Sequence, residues 1–244
     1  MKALSLIALA NFTLALAGDA LAAAASPEPK KAPSAPAVQI PTTSITPAQR
    51  AMVKSALMKQ PLRFVKNQGQ FHTDHIGQQV QFYEQRKGHA IYFTQDGVYL
   101  HLVKFKDAPV KREIKPGTPE IAAKSLIKLS LIGSAERPEI IPERLQPGRV
   151  NYYLGSDSKR WFEGIPTFGA IRYSNVYKGV DVRYYGNDSQ LEYDVIVKPG
   201  AGLEQVRFSY EGIEGLRITA EGSLEIAVAG GKIVQKKTIH LSGN

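Results

Sequence analysis

Five side chains stand out by type and spacing. Asp181, Arg183 and Tyr185 alternate with Val180, Val182 and Tyr184, and Glu192 and Asp194 sit in a second alternating stretch at 191–197. Successive side chains of an extended chain point to opposite faces, so Asp181, Arg183 and Tyr185 share a face, as do Glu192 and Asp194. Residues 186–190 can close the two strands as a hairpin, which would bring the five together. Paired carboxylates beside an arginine and a tyrosine are suited to the acid/base work of a glycosidase. The same set could bind a sugar or a cation. The plainest reading is a solvated sheet face with cross-strand ion pairs, each worth under about 1 kcal/mol. Sequence alone leaves the three open.

Other residues carry weaker signals. His72, Asp74 and His75, with His89 and His101 elsewhere, are metal-ligand types, but their spacing matches no motif and the segment reads as a polar loop. No metal site and no cofactor are expected. Asn67-Gln68-Gly69-Gln70 reads as a turn, with Gly69 at positive φ and the amides serving backbone groups. Tyr152, Tyr153, Trp161, Phe162 and Phe168 form either part of the core or, if exposed, a platform for stacking on carbohydrate. Ser156, Ser158 and the histidines make no nucleophile elbow or triad, and no glycine-rich phosphate loop is present.

The elements that must position these residues are strands. From Phe64 onward apolar residues recur with period two: Val80 and Phe82; Ala90 and Tyr92; Val98, Leu100 and Leu102; Ile127, Leu129 and Leu131; then the stretches already named and others through Ile233. Turn signals separate them at Asp96-Gly97, Gly186-Asn187, Pro199-Gly200, Glu221-Gly222 and Gly230-Gly231. This pattern predicts an all-β fold, an antiparallel β-sandwich over residues 61–244. Residues 107–123 read as a solvated loop, and no repeat of 20–50 residues is present.

Three segments precede that domain. Residues 1–25 read as a signal peptide: Lys2, an apolar run over 3–17, and the small-x-small site Ala20-Leu21-Ala22. The run is too short for a membrane span, which needs about 20 apolar residues, so no transmembrane segment is expected once the leader is removed. Residues 26–46 are a Pro/Ala-rich linker. Residues 47–60 read as one short helix, capped by Thr46 and opened by Pro47.

Composition sets limits on these readings. The 244 residues include no cysteine, which excludes disulfide scaffolds, thiolate metal sites and thiol catalysis. An exported chain without disulfides must hold itself together by its core. The net charge is +9, of which +4 lies on residues 26–60, so it is weak support for a basic binding surface on the domain. No nucleic-acid partner is expected; glycans or cell-envelope components fit an exported chain better.

Several motifs occur in a set order: Phe64-Val65-Lys66-Asn67-Gln68-Gly69-Gln70, Ile91-Tyr92-Phe93-Thr94-Gln95-Asp96-Gly97-Val98, Val150-Asn151-Tyr152-Tyr153-Leu154-Gly155, Trp161, Ile165-Pro166-Thr167-Phe168-Gly169, Val176-Tyr177-Lys178-Gly179-Val180-Asp181-Val182-Arg183-Tyr184-Tyr185-Gly186 and Leu191-Glu192-Tyr193-Asp194-Val195. Together, over roughly residues 61–239, they resemble the N-terminal domain of bacterial SBBP (β-propeller) repeat-containing cell-surface proteins. The resemblance implies a β-rich extracytoplasmic domain of no established activity, usually followed by propeller repeats. Here the sequence ends at Asn244, shortly after Gln235-Lys236-Lys237, where repeats would begin.

The expectation is therefore an exported, non-enzymatic module of the bacterial envelope, periplasmic, surface-bound or secreted, for binding, adhesion or assembly. One alternative is a carbohydrate-active enzyme using Glu192 with Asp181 or Asp194. Another is a truncated remnant of a longer propeller-bearing surface protein.

Overall fold

A computed structural model describes residues 4–13, 46, 62–106, 120–187 and 190–243, with side chains described in 46, 62–106, 120–187 and 190–236. The expected helix at 47–60 and the expected linker, apart from Thr46, lie outside the described residues. Fourteen strands form: β1 (Leu4–Thr13), β2 (Phe64–Lys66), β3 (Phe82–Arg86), β4 (His89–Thr94), β5 (Gly97–Phe105), β6 (Ile121–Leu131), β7 (Glu139–Tyr153), β8 (Trp161–Tyr177), β9 (Val180–Asn187), β10 (Gln190–Val197), β11 (Phe208–Glu211), β12 (Gly215–Ile218), β13 (Leu224–Val228) and β14 (Gly231–Gly243). The helices among the described residues are two single 3₁₀ turns, Ser158–Arg160 and Leu203–Gln205. The fold is all-β and antiparallel, as the period-two pattern predicts.

The strands run in the order β11-β6-β5-β4-β3-β2-β8-β9-β10-β1-β14-β13-β12, with β7 added on β8. The 17-residue strand β8 makes the fold turn. It pairs with β2 through Phe168 and Thr167, and with β9 from Ala170 to Tyr177. It thus serves two half-sheets in succession along its length. The end of β9 abuts the start of β2: a Cβ on Gly186 would lie 2.6 Å from the Leu62 Cβ.

The half-sheets curl so that their inner faces share one core. Phe93, Val98, Leu100, Ile127 and Leu129 from one side meet Ile171, Val180, Val182, Tyr184, Val195, Ile226 and Ile233 from the other. A relay of rings crosses this core: Phe64 to Phe93 at 4.9 Å, Phe93 to Tyr184 at 5.8 Å, Tyr184 to Tyr193 at 5.7 Å and Tyr193 to Phe208 at 4.9 Å. A smaller core covers the opposite face of β3 and β4, where Tyr83, Ala90 and Tyr92 pack with Val65, Ile76, Val80 and Ile165. Strand β4 is therefore buried on both faces, and its side chains lose polar alternation after His89.

Two expectations need adjustment: the expected loop over 107–123 gives way to β6 at Ile121, and the hairpin glycines have a different role. The hairpin signals mark real hairpins, but their glycines do other work. Thr94 pairs with Gly97, so the β4–β5 loop is Gln95-Asp96. Gly97 lies at φ +147°, and a Cβ there would come within 2.5 Å of the Leu129 carbonyl oxygen. Likewise Gly186 and Asn187 belong to β9, and Asn187 pairs with Gln190. The longest strands, β7 and β8, carry no clean period-two signal. Pro142, Pro147 and Pro166 interrupt them, and register shifts break the alternation.

The segment expected to be a leader contributes β1, inserted between β10 and β14 and antiparallel to both. A run of apolar residues does not distinguish a leader's hydrophobic stretch from a strand paired along both edges. Among the described residues no helix is long and apolar enough to cross a membrane.

The contact between Gly186 and Leu62 is testable. Gly186→Ala forces a methyl into backbone and side-chain atoms that hold the two half-sheets together. It is expected to cost about 2 kcal/mol, within the usual range for overpacking, read as a lower urea midpoint at unchanged slope.

Candidate functional site

The five residues singled out by spacing do share one face. Val180, Val182 and Tyr184 are buried in the core, which leaves Asp181, Arg183 and Tyr185 on the opposite side of β9. The register sets Asp194 opposite Arg183 and Glu192 opposite Tyr185. Asp181 is opposite Ile196 and so stands apart from the other two carboxylates. The face is not an open, solvated one: Asp181, Glu192 and Asp194 are 4%, 5% and 8% exposed.

Two residues that the spacing argument did not include organise it. Arg172 on β8 lies directly opposite Arg183, a like-charge pairing that is unfavourable by itself. Glu143 on β7 resolves it. One carboxylate oxygen accepts from Arg172 Nε at 2.5 Å and the other from Arg183 Nε at 2.7 Å. Arg172 also donates to Asp181 at 3.0 Å, and Lys198 Nζ lies 3.7 Å from the same carboxylate. The charges alternate along this line: Arg183, Glu143, Arg172, Asp181, Lys198. Arg183 therefore makes its hydrogen bond to Glu143 and not to Asp194, its opposite number in the register.

Asp181 has a second task. Its Oδ1 accepts from the backbone N–H of Asn175 at 2.7 Å. Asn175 has φ +50° and lies where the β8–β9 register shifts, between Tyr173 and Tyr177. A bulge of this kind takes an N–H out of the ladder, and the carboxylate satisfies it.

Asp194 and Glu192 are served by neutral donors. The Tyr185 hydroxyl donates to Asp194 at 2.9 Å, and Asn187 Nδ2 donates to Glu192 at 3.0 Å. Arg144, at φ +55°, lies 5.4 Å over the Tyr185 ring. Burial pushes the Asp194 carboxyl above its ordinary range, which the Tyr185 hydroxyl, Arg183 and Arg144 offset only in part. Burial and the neighbouring carboxylate also raise the Tyr185 hydroxyl, so it remains a proton donor. Chemically, the face holds one elevated carboxyl, one adjacent carboxylate and a tyrosine. Asp181 is committed to the bulge and the charge line.

Neither of two surface concavities includes these carboxylates. One, of about 260 Å³, lies between the β4–β5 loop and β6 and is lined by Gln95, Asp96, Lys128, Glu136 and Tyr173. The other, of about 830 Å³, belongs to residues 67–80. Asn67 organises that loop: its amide donates to the carbonyls of Phe71 and Val80, and its Oδ1 accepts from Gly69. Gln70 accepts from the Gln68 N–H and donates to Lys66 O and Tyr83 OH. Gly69 has φ +109°. These are the backbone-serving amides and the positive-φ glycine that the residue types suggest.

The histidines are scattered. His72 and Asp74 are almost fully exposed, 3.4 Å apart. His75 faces His101 at 6.4 Å between ring centroids. Burial, and then the charges of His75 and Lys124, lower His101 and favour its neutral form. Among the described residues, no three His, Asp or Glu side chains gather as metal ligands.

The aromatic set divides. Phe168 packs on the main core, and Tyr152 and Phe162 pack on the smaller one. Tyr153 and Trp161 are 56% and 43% exposed where β7 and β8 pair, with rings edge to face at 5.2 Å. Trp161 Nε1 donates to Gly155 O at 3.0 Å, which fixes the indole.

Residues 64–240 match a family model described as "Domain of unknown function (DUF7948)". The chain belongs to this family. No curated protein and no solved structure matches it significantly. The charged face and the exposed aromatic pair both lie within the DUF7948 span.

Of the residues missed by the spacing argument, Arg172 left a signal: Ala170-Ile171-Arg172-Tyr173-Ser174 alternates as a strand should. Glu143, between Pro142 and Arg144, left none.

Two outcomes follow from the charged face. Glu143→Gln leaves two half-buried guanidinium groups facing each other, an expected loss of about 2 kcal/mol by chemical denaturation, with burial strengthening and partial exposure weakening the effect. Asp194 acts in the opposite sense. Its native pKa lies above 3.8, so between the unfolded and native values the native state binds more protons, and stability falls as pH rises through that window. Asp194→Asn keeps the acceptor for Tyr185, removes this fall, and is expected to leave stability at pH 7 equal or higher.

Proposed function

We propose that this DUF7948 chain is an exported, non-catalytic β domain of the bacterial envelope that acts by binding or assembly. The observation that carries the reading is the commitment of the would-be catalytic groups to the fold. Asp181 satisfies a bulge N–H, Glu143 neutralises two arginines, and Glu192 and Asp194 are held by Asn187 and Tyr185. The leader-like start supports export, and the resemblance of the ordered motifs to those of SBBP repeat proteins supports a place at the cell surface. The contact surface is the exposed pair Tyr153 and Trp161. A fixed indole with an orthogonal phenol offers flat apolar area at small entropic cost, suited to the face of a sugar ring in an envelope glycan.

A second reading has one observation in its favour. The raised Asp194 carboxyl beside Glu192 is the kind of pair that divides acid and base roles in glycoside hydrolysis. It predicts glycan cleavage that Asp194→Asn abolishes.

Fractionation and sedimentation separate the two. The processed chain is expected in the periplasm, on the surface or in the medium, and to co-sediment with isolated envelope material. Combined Tyr153→Ala and Trp161→Ala should weaken that retention at least about tenfold, as expected for losing two stacking rings, at unchanged thermal stability. Retention that survives both changes, or cytosolic protein beginning at Met1, would overturn the binding reading. Turnover of envelope glycan lost in Asp194→Asn would establish the enzymatic one.

A further inference from the structure

The place of β1 carries a consequence for the processed protein. This inference rests on reading residues 1–25 as a leader that is removed. β1 pairs over Leu6–Asn11 with β10 and over its whole length with β14. Because β1 is antiparallel to both, β10 and β14 run parallel to each other. They cannot close the gap as an antiparallel pair, and without β1 they stand two strand spacings apart, about 9.6 Å. Such a gap has the width of one strand, with unpaired main-chain donors and acceptors on both walls.

Other contacts hold the walls independently of β1. Gln235 on β14 donates to the Tyr193 hydroxyl on β10 at 2.5 Å, and Tyr210 on β11 donates to Gln235 at 2.7 Å. Tyr193 packs on Phe208, and Ile226 and Ile233 anchor β13 and β14 in the main core. β9 secures the far side of β10. The gap is therefore built into the domain that remains after residues 1–25 are gone.

We infer that in the mature protein the slot between β10 and β14 accepts an extended, uncharged segment of a partner protein, inserted as a strand antiparallel to both walls. The register describes that segment. Positions in line with the buried Val197, Val195 and Tyr193 hold Leu6, Ala8 and Ala10, so apolar residues belong there. Asn11 is in register with Glu192 on one side and Lys236 on the other, so one neutral polar residue belongs between the carboxylate and the ammonium. Main-chain bonding supplies affinity, and the alternate positions supply selectivity. The stretch at 26–46 of this chain is interrupted by Pro27, Pro29, Pro33, Pro36 and Pro41, each without the N–H that such a strand donates.

The test uses residues 26–244 and a labelled peptide of sequence LSLIALANFT, residues 4–13, added in trans. Saturable binding is expected. At a peptide concentration 100 times the dissociation constant, amide exchange in β10 and β14 should slow by about 100-fold. The same peptide with Ala8→Pro should not bind. If residues 26–244 fold poorly, the full chain with a protease site placed in 26–46 is folded first, cut, and challenged with labelled peptide, which should replace the original strand. Absence of binding and of exchange in both formats would overturn the inference, as would β10 and β14 amides already protected in the processed chain alone. A concentration-dependent dimer protected at these strands would replace the foreign partner by a second copy and overturn the assigned occupant. The mass of the exported protein tests leader removal separately: capture in vitro stands or falls on the slot, and a mature chain beginning at Met1 would defeat the export reading.

Discussion

One strand edge sets the terms for the whole molecule. Along β8 the partners change from β2 at Thr167 and Phe168 to β9 from Ala170 onward. Two half-sheets are thereby tied to one backbone, and because sheets twist, they curl toward each other and do not extend as a flat plane. The shared core, with its ring relay from Phe64 to Phe208, is the product of that curl. The junction demands that two chain segments nearly touch, which the missing side chain of Gly186 permits. The bulge at Asn175 gives β8 the freedom to follow both partners, and Asp181 accommodates its N–H.

The same constraint explains why a charged cluster lies inside a sheet face. β7, β8 and β9 converge there, and their register sets Arg172 against Arg183. An acidic side chain from a third strand is the simplest remedy, and Glu143 provides it to both at once. Of the carboxylates that resemble an acid/base pair in the sequence, Asp181 thus takes part in this electrostatic repair, while Glu192 and Asp194 take neutral donors. Asp194 differs from Asp181 and Glu143: burial raises its carboxyl, and its hydrogen bond comes from the Tyr185 hydroxyl and not from an arginine.

The fold class was legible because β5, β6, β9 and β10 expose the period of two that an extended chain imposes. The pairing of β9 with β10, and the shared faces of Asp181, Arg183 and Tyr185 and of Glu192 and Asp194, follow from that period alone. What escaped was set by tertiary contacts. β7 tolerates Pro142 and Pro147 because among the described residues it pairs only with β8 and leaves its other edge unpaired. The glycines at 97 and 186 suggested turns, but neighbouring chains require them for close approach. Glu143 was unreadable as a site residue, since nothing local indicates that it would meet two arginines 29 and 40 positions away. The apolar stretch at 4–13 was ambiguous in principle: a largely apolar run carries no alternation by which to identify a strand.

The outer edge of β7 bears on stoichiometry. Two prolines and the left-handed Arg144 make it a poor template for further pairing. Pairing with a further chain is thus discouraged on this side of the sheet. A ribbon is therefore disfavoured from growing through β7, which leaves β11 and β12, the two ends of the strand order, as the other edges among the described residues.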